Sequence, residues 1–366
     1  MAPRDADGGE LMGSVRRSSE GLRVALMSTC AVPTPPPAYG GTELVLAALA
    51  HALAALGHRP TVFATGDSTC DGARCARFAR PVWPPEPLAE LRHASAAWLQ
   101  IARGGFDVVH VNEPSSLVFT EWVALPTVAT IHHVRQEPLL RQYVAYPRVA
   151  YVGISHRQAE LAWEMPFRRV IHHGLDPDLY PEGRGDGGYV AFLGRLAAEK
   201  APHIAIDAAH RVGLPIVVAG KPHVLDRDYF ERTILPRFGP SVRWLGEVDQ
   251  REKRELLRGA RALLVPLHWE EPFGLVMIEA MLVGTPVIAF RCGAAAEIVD
   301  EGVTGFLVDT LEEMVVRLRD VGAIDRARCR ARARERWSSE RMARAYVDLY
   351  REVAFTASPR ARGLRA

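Results

Sequence analysis

The sequence predicts an α/β protein built from two doubly wound, parallel-sheet domains, and three observations carry that prediction. At 366 residues with 48% hydrophobic content, the chain can form two cores of ordinary size. Short β-rich runs alternate with helical stretches, which is the βαβ rhythm of a parallel sheet. That rhythm breaks once, over residues 174–188, where two prolines, five glycines and three aspartates gather, and it then resumes.

Strands are expected over residues 22–28, 60–64, 107–111, 127–131 and 149–154 before the break. After it they are expected over 189–193, 215–219, 242–245, 262–266 and 286–290. Residues 44–56 are apolar almost all round and end at Gly57, as suits a helix packed on a sheet and stopped by a C-terminal glycine. The division expected is a disordered leader over 1–20, a first domain over 21–175, a linker over 176–188 and a second domain over 189–337. A last helix over 338–353 and a flexible tail over 354–366 complete it. Ligands of such sheets bind outside the carboxyl ends of the strands.

Composition narrows the function. A net charge of +2 from 45 basic and 43 acidic residues gives no global drive toward nucleic acid, so an anion site must be local. Cys30, Cys70, Cys75, Cys292 and Cys329 include no CxxC pair, so reduced thiols are expected. Residues 1–20 have no apolar core of the kind a secretory signal needs. No run of about 18 apolar residues spans a membrane. A cytoplasmic protein is the expectation.

The most informative stretch runs from Trp269 to Met281. It places Glu271 and Glu279 eight positions apart around an expected helix start at Pro272, where the amides of Phe273, Gly274 and Leu275 would await a phosphate. Glu271 could then meet a sugar's hydroxyls and Glu279 a ribose. Residues 274–283 are otherwise apolar, so Glu279 needs a partner: a ligand hydroxyl, an internal Arg or the solvent. Gly40 and Gly41 follow the first strand and open a helix, which would let backbone amides face an anion or a sugar. Arg195 and Lys200 follow the strand expected over 189–193, where an Arg and a Lys could grip an anion; the alternative is a surface pair with Glu199 between them. His132 ends a first-domain strand at the cleft-facing side.

These segments together, with Thr130-Ile131-His132, Glu199-Lys200 and Gly284-Thr285-Pro286, resemble the family 4 retaining glycosyltransferases. The resemblance covers roughly residues 22–350 and implies the GT-B fold, two Rossmann-like domains facing each other across a cleft. It implies transfer from a nucleoside diphosphate sugar with retention, no metal and no cofactor beyond that donor. The second domain would hold the donor and the first the acceptor, with the last helix crossing back to the first domain. Arg195 and Lys200 would serve the diphosphate, Glu271, Phe273, Gly274, Leu275, Gly40 and Gly41 the donor, Glu279 the ribose and His132 the reaction centre. His173 stands where many relatives carry Asn. The acceptor, whether glycan, lipid or small molecule, stays open, as does the oligomeric state. A phosphorylase, an epimerase or a non-catalytic sugar-nucleotide-binding protein on the same fold is the alternative reading.

Three patterns are expected to carry no chemistry. Gly183-Arg184-Gly185-Asp186-Gly187-Gly188 fits GxGxxG but precedes a strand and opens no helix. Asp176-Pro177-Asp178 has metal-binding DxD spacing yet falls in the linker. Alternating arginines from Arg326 to Arg336 spread charge around a helix and suit a solvated face; contact with an anionic membrane or a lipid-linked acceptor is the other reading.

Overall fold

The protein, described here by a computed structural model, is defined over residues 21–222 and 224–357. The leader expected over 1–20 and the part of the tail beyond 357 lie outside the described residues. Two all-parallel sheets organise the rest. The first has seven strands in the order β3-β2-β1-β4-β5-β6-β7: Arg23–Met27 (β1), Arg59–Ala64 (β2), Ala73–Cys75 (β3), Val108–Val111 (β4), Thr127–Thr130 (β5), Ala150–Gly153 (β6) and Phe167–Val170 (β7). The second has six in the order β10-β9-β8-β11-β12-β13: Val190–Leu193 (β8), Ile216–Ala219 (β9), Val242–Trp244 (β10), Leu263–Val265 (β11), Val287–Phe290 (β12) and Gly305–Val308 (β13). The order reverses beside β1 in one sheet and beside β8 in the other, and at such switch points ligand crevices form.

The central strands are legible because they are buried on both faces. Every residue of β4, β5, β9, β11 and β12 is buried, and β9, β11 and β12 are the continuous apolar runs expected of a covered parallel sheet. Sequence reading missed β3, β7 and β13. In β3 all three residues are exposed, and β7 places Arg168 and Arg169 outward, so neither edge strand carries an apolar signal. The third, β13, is a four-residue edge strand within a glycine-rich turn region.

The stretch 176–188 packs as part of the second domain. Gly183, Gly185 and Gly187 donate backbone hydrogen bonds to Val283, Arg258 and Gly259, and Tyr180 is buried. The helix Arg326–Trp337 is stapled to it. Arg326 donates to Gly183 O, Arg330 to Tyr180 O, and Arg334 to Pro177 O and Asp178. Arg332 and Arg336 both reach Asp300. These arginines therefore make internal contacts, whereas the sequence suggested a solvated or membrane-facing set; Arg328 alone among the six is exposed.

The last helix, Ser339–Ala357, runs four residues past the expected end and packs on Gly41–Ala55 of the first domain. Met342, Ala343, Tyr346 and Tyr350 join Val24, Leu46 and Leu49 in one core. A buried chain of hydrogen bonds locks this docking. Tyr346 OH pairs with Thr130 Oγ1, Thr130 Oγ1 with His110 Nε2, and His110 Nδ1 with Tyr350 OH, each at 2.7 Å. Burial, with His132 adding, pushes the His110 pKa down to about 3 from its ordinary 6.5, so the ring stays neutral and both nitrogens keep their partners.

The sign of the pH effect follows. Below pH 6.5 the unfolded chain takes up a proton at this residue that the folded chain refuses, so stability falls as pH drops toward 3. His110→Phe, though less stable overall, should lose up to about 1.4 kcal/mol less per pH unit in that window. Urea unfolding at pH 7 and pH 5 measures this, and equal losses in both proteins would contradict it.

Candidate active site

A cleft of about 790 Å³ opens between the carboxyl ends of the two sheets and is lined by both domains. Each residue singled out from the sequence lines it: His132, Gly40 and Gly41 from the first domain, and Arg195, Lys200, Glu271, Phe273, Gly274, Leu275 and Glu279 from the second.

The second-domain wall is built around the helix Leu275–Leu282. It begins three residues later than expected, because Gly274, at φ 98°, takes the left-handed turn as N-cap and Pro272 stays outside. Any Cβ at Gly274 would also stand 2.5 Å from Met277 Cε, so glycine is required twice over. Met277 N–H bonds back to Gly274 O, which leaves the Leu275 and Val276 amides as the free donors of the first turn. Glu279 accordingly sits one turn into the helix, nearer the cleft than two turns would put it.

The charges of this wall are paired with one another. Lys200 Nζ contacts Glu271 Oε2 and also lies 4.6 Å from the centroid of the Trp269 ring. Trp269 Nε1–H donates to the same Glu271 oxygen at 2.8 Å. Arg195 pairs with Glu199, so the two cations expected at the diphosphate each hold a carboxylate. Glu279 is 1% exposed and meets neither solvent nor an arginine. It contacts Lys253 Nζ from the helix Gln250–Gly259 and accepts from Tyr180 OH at 3.1 Å. Internal pairing answers the burial cost that the sequence left open. Lys253 lines the cleft with it.

His132 faces this wall from the end of β5. Its Nε2 lies 2.9 Å from Asn112 Oδ1, while Asn112 Nδ2 donates to Met27 O at 3.0 Å. That second bond orients the amide, so Oδ1 accepts and His132 carries its proton on Nε2. Nδ1 then keeps a lone pair. Burial, with His133 adding, pushes the His132 pKa down to about 3. The ring stacks on His173 with centroids 5.2 Å apart, and His173 meets Phe273 edge-on at 5.0 Å. His173 is itself held neutral by burial, and its buried Nδ1 has no partner. His133 has a structural arrangement, bonded to Val134 O and to Tyr143 OH.

Gly40 starts the helix Gly41–Ala55 at φ 146°, where a Cβ would meet Pro36 Cβ at 2.7 Å. A Cβ on Gly41 would stand 3.2 Å from Leu275 Cδ1, so the two helix N-termini approach across the cleft. Sequence reading missed Trp269, Lys253, Tyr180 and Asn112. Only Trp269 had a visible signal, an indole two residues before Glu271. Among the described residues, His156, His172 and Glu297 form one set with metal-ligand atoms within 4.8 Å of one another. They lie outside the cleft lining, and Glu297 already accepts from His172 Nε2 and the amides of His156 and Arg157.

Two parallel-sheet domains with a charged cleft between their carboxyl ends are the arrangement of the GT-B fold. Residues 39–179 match the model described as Glycosyltransferase Family 4, and residues 182–336 match Glycosyl transferases group 1. A phosphatidyl-myo-inositol mannosyltransferase of Mycobacterium tuberculosis is 30% identical over 309 residues, covering 74% of this chain and 79% of that protein. A glycosyltransferase involved in avilamycin A biosynthesis superposes with a TM-score of 0.69 at 25% identity, covering 91% of this chain and 98% of the other. An Anabaena protein solved with UDP-glucose shares the fold at 19% identity and a TM-score of 0.68, covering 90% and 100%. The chain belongs to glycosyltransferase family 4 and is a glycosyltransferase. Among the described residues, no helix is long and apolar enough to cross a membrane.

The Lys253–Glu279 pair yields a stability prediction. Lys253→Met leaves a buried carboxylate with Tyr180 alone and should cost on the order of 3 kcal/mol. The Lys253→Met, Glu279→Gln double variant should cost less than the sum of the singles, because the second change removes the stranded charge. Strict additivity in urea unfolding would mean the two groups do not interact.

Proposed function

We propose that this glycosyltransferase moves a hexosyl-type group from a nucleoside diphosphate sugar to an acceptor, with retention at the anomeric carbon and without a metal. The carrying observation is the clustering of Arg195, Lys200, Glu271 and the free amides of Leu275 and Val276 on one wall, opposite a neutral His132. The relative named for mannosyl transfer and the neighbour solved with UDP-glucose support a sugar-nucleotide donor.

In this reading the diphosphate breaks one internal pairing and shares another. Arg195 turns from Glu199, and Lys200 shares itself between Glu271 and a phosphate oxygen. Both cations, with the helix amides, then stabilise the charge that grows as the glycosidic bond breaks. Glu271, still held by Trp269, is left to accept from sugar hydroxyls. Glu279 accepts from the ribose while Lys253 stays beside it as its counter-ion. His132, with a pKa near 3 and a free Nδ1 lone pair, accepts a hydroxyl hydrogen bond and orients the sugar; it is too weak a base to hold the acceptor's proton. The departing diphosphate takes that proton on the same face, which is the route compatible with retention.

The test is turnover with UDP-, GDP-, ADP- and TDP-linked hexoses, with the product's anomeric configuration read by NMR. Activity should survive a chelator, because the charges proposed to meet the diphosphate are side chains and amides. Arg195→Ala and Lys200→Ala should each lower turnover on the order of 100-fold. Inverted product, EDTA-abolished activity restored by magnesium, or wild-type turnover in either folded variant would each overturn the part of the reading it addresses.

A further inference from the structure

The two walls of the cleft differ in charge. The second-domain wall carries four cations and three carboxylates: Arg195, Lys200, Lys221 and Lys253 with Glu247, Glu271 and Glu279. Among the described residues that line the first-domain wall there is no Asp, Glu, Lys or Arg. Its three histidines, His132, His133 and His173, are all held below their ordinary pKa by burial and stand neutral. Arg135 adjoins this wall, but it is committed to Glu164 at 2.7 Å and Glu137 at 3.0 Å. Arg80, three residues before Trp83, is exposed and does not line the cleft.

What this wall offers instead is aromatic surface. Trp83 is 58% exposed and Tyr39 54%, and both line the cleft. Neither hangs on slack chain. Val82 N–H donates to Cys30 O at 2.9 Å, which ties the Trp83 loop to the end of β1, and Ala38 O accepts from Gln250 Nε2 at 2.9 Å beside Tyr39. Large rings left in water inside a cleft gain free energy when a ligand's apolar face covers them.

We infer that the acceptor enters the cleft as an uncharged, polyhydroxylated ring, a sugar or a cyclitol bearing no phosphate, that packs its C–H face on Trp83 and Tyr39. The inference rests on the transferase reading above and names the substrate class at its open end. A ring presents C–H bonds to the indole and hydroxyls to neutral acceptors and donors such as Gln136 and His132. A phosphorylated ring would bring a charge that finds no cation on this wall. Among the described residues, the feature of this wall that attracts an anion, the amide end of Gly41–Ala55, faces Leu275 and so belongs beside the donor's diphosphate.

The experiment uses whichever donor the nucleotide panel selects and offers matched acceptors: methyl hexopyranosides against hexose 6-phosphates, and myo-inositol against myo-inositol 1-phosphate. Neutral rings should be glycosylated with a kcat/KM at least about tenfold above their phosphorylated counterparts. Trp83→Ala should lower kcat/KM for the neutral acceptor at least about tenfold, and Trp83→Phe should recover most of it, while affinity for free nucleoside diphosphate stays at the wild-type level. Preference for a phosphorylated ring, or full transfer by Trp83→Ala, overturns the inference. So does silence of the whole panel in a protein that still binds and slowly hydrolyses its donor. Failure to bind any nucleoside diphosphate or to hydrolyse any donor would instead sink the transferase reading itself.

Discussion

Charges of both signs must be kept in a largely apolar cleft, and the rest of the site depends on how they are paired before any ligand arrives. Lys200 holds Glu271, Lys253 holds Glu279 and Arg195 holds Glu199. An isolated buried charge would cost several kcal/mol, so each group proposed to meet substrate arrives with an internal counter-ion. The pairing also aims the groups. Trp269 and Lys200 clamp the same oxygen of Glu271, while Tyr180 and Lys253 share one oxygen of Glu279. A ligand therefore meets a preorganised set whose rearrangement is confined to exchanging one partner for another.

The fold makes this pairing possible by bringing distant segments together. Glu271 and Glu279 lie around one short helix, Lys200 follows β8, and Lys253 comes from the helix before β11. Tyr180 arrives from the stretch between the domains. The opposing wall is set by the last helix, which returns to the first domain and is locked there by the chain from Tyr346 through Thr130 and His110 to Tyr350. His110 lies within β4 and His132 just beyond β5, so the buried neutral histidine that docks this helix and the one that borders the cleft belong to neighbouring strands. Neutral imidazoles on one wall and paired ions on the other give the cleft its two unlike sides.

The sheet strands were legible wherever both faces are covered, because a run such as Val287–Phe290 has no polar residue to confuse the period. The edge strand Phe167–Val170 was not, since Arg168 and Arg169 face water and bond Glu352 instead of signalling a sheet. The glycines and glutamates of the cleft stood out as polar or flexible residues in apolar surroundings. The counter-ion of Glu279 did not, because Lys253 sits in Gln250–Gly259 among other charged residues, where nothing local separates a buried lysine from a solvated one. The start at Leu275 in place of Pro272 was hidden for a similar reason: proline suits a first turn, but the left-handed Gly274 sets the cap. The arginines of Arg326–Trp337 read as a solvated set because their partners, backbone carbonyls and Asp300, lie far away in sequence.

The central claim is that the two glutamates serve different parts of one ligand, and calorimetry on two variants tests it most directly. Glu279→Ala should weaken free nucleoside diphosphate and intact donor by similar factors, because both carry the ribose. Glu271→Ala should weaken the intact donor yet leave free nucleoside diphosphate unchanged or tighter, since Lys200 loses its internal competitor. A charge-assisted hydrogen bond of roughly 1.5 to 3 kcal/mol makes the contrast about 10- to 150-fold. If Glu279→Ala lowers only the melting temperature and leaves both affinities intact, its carboxylate is a structural partner of Lys253 and the account is wrong.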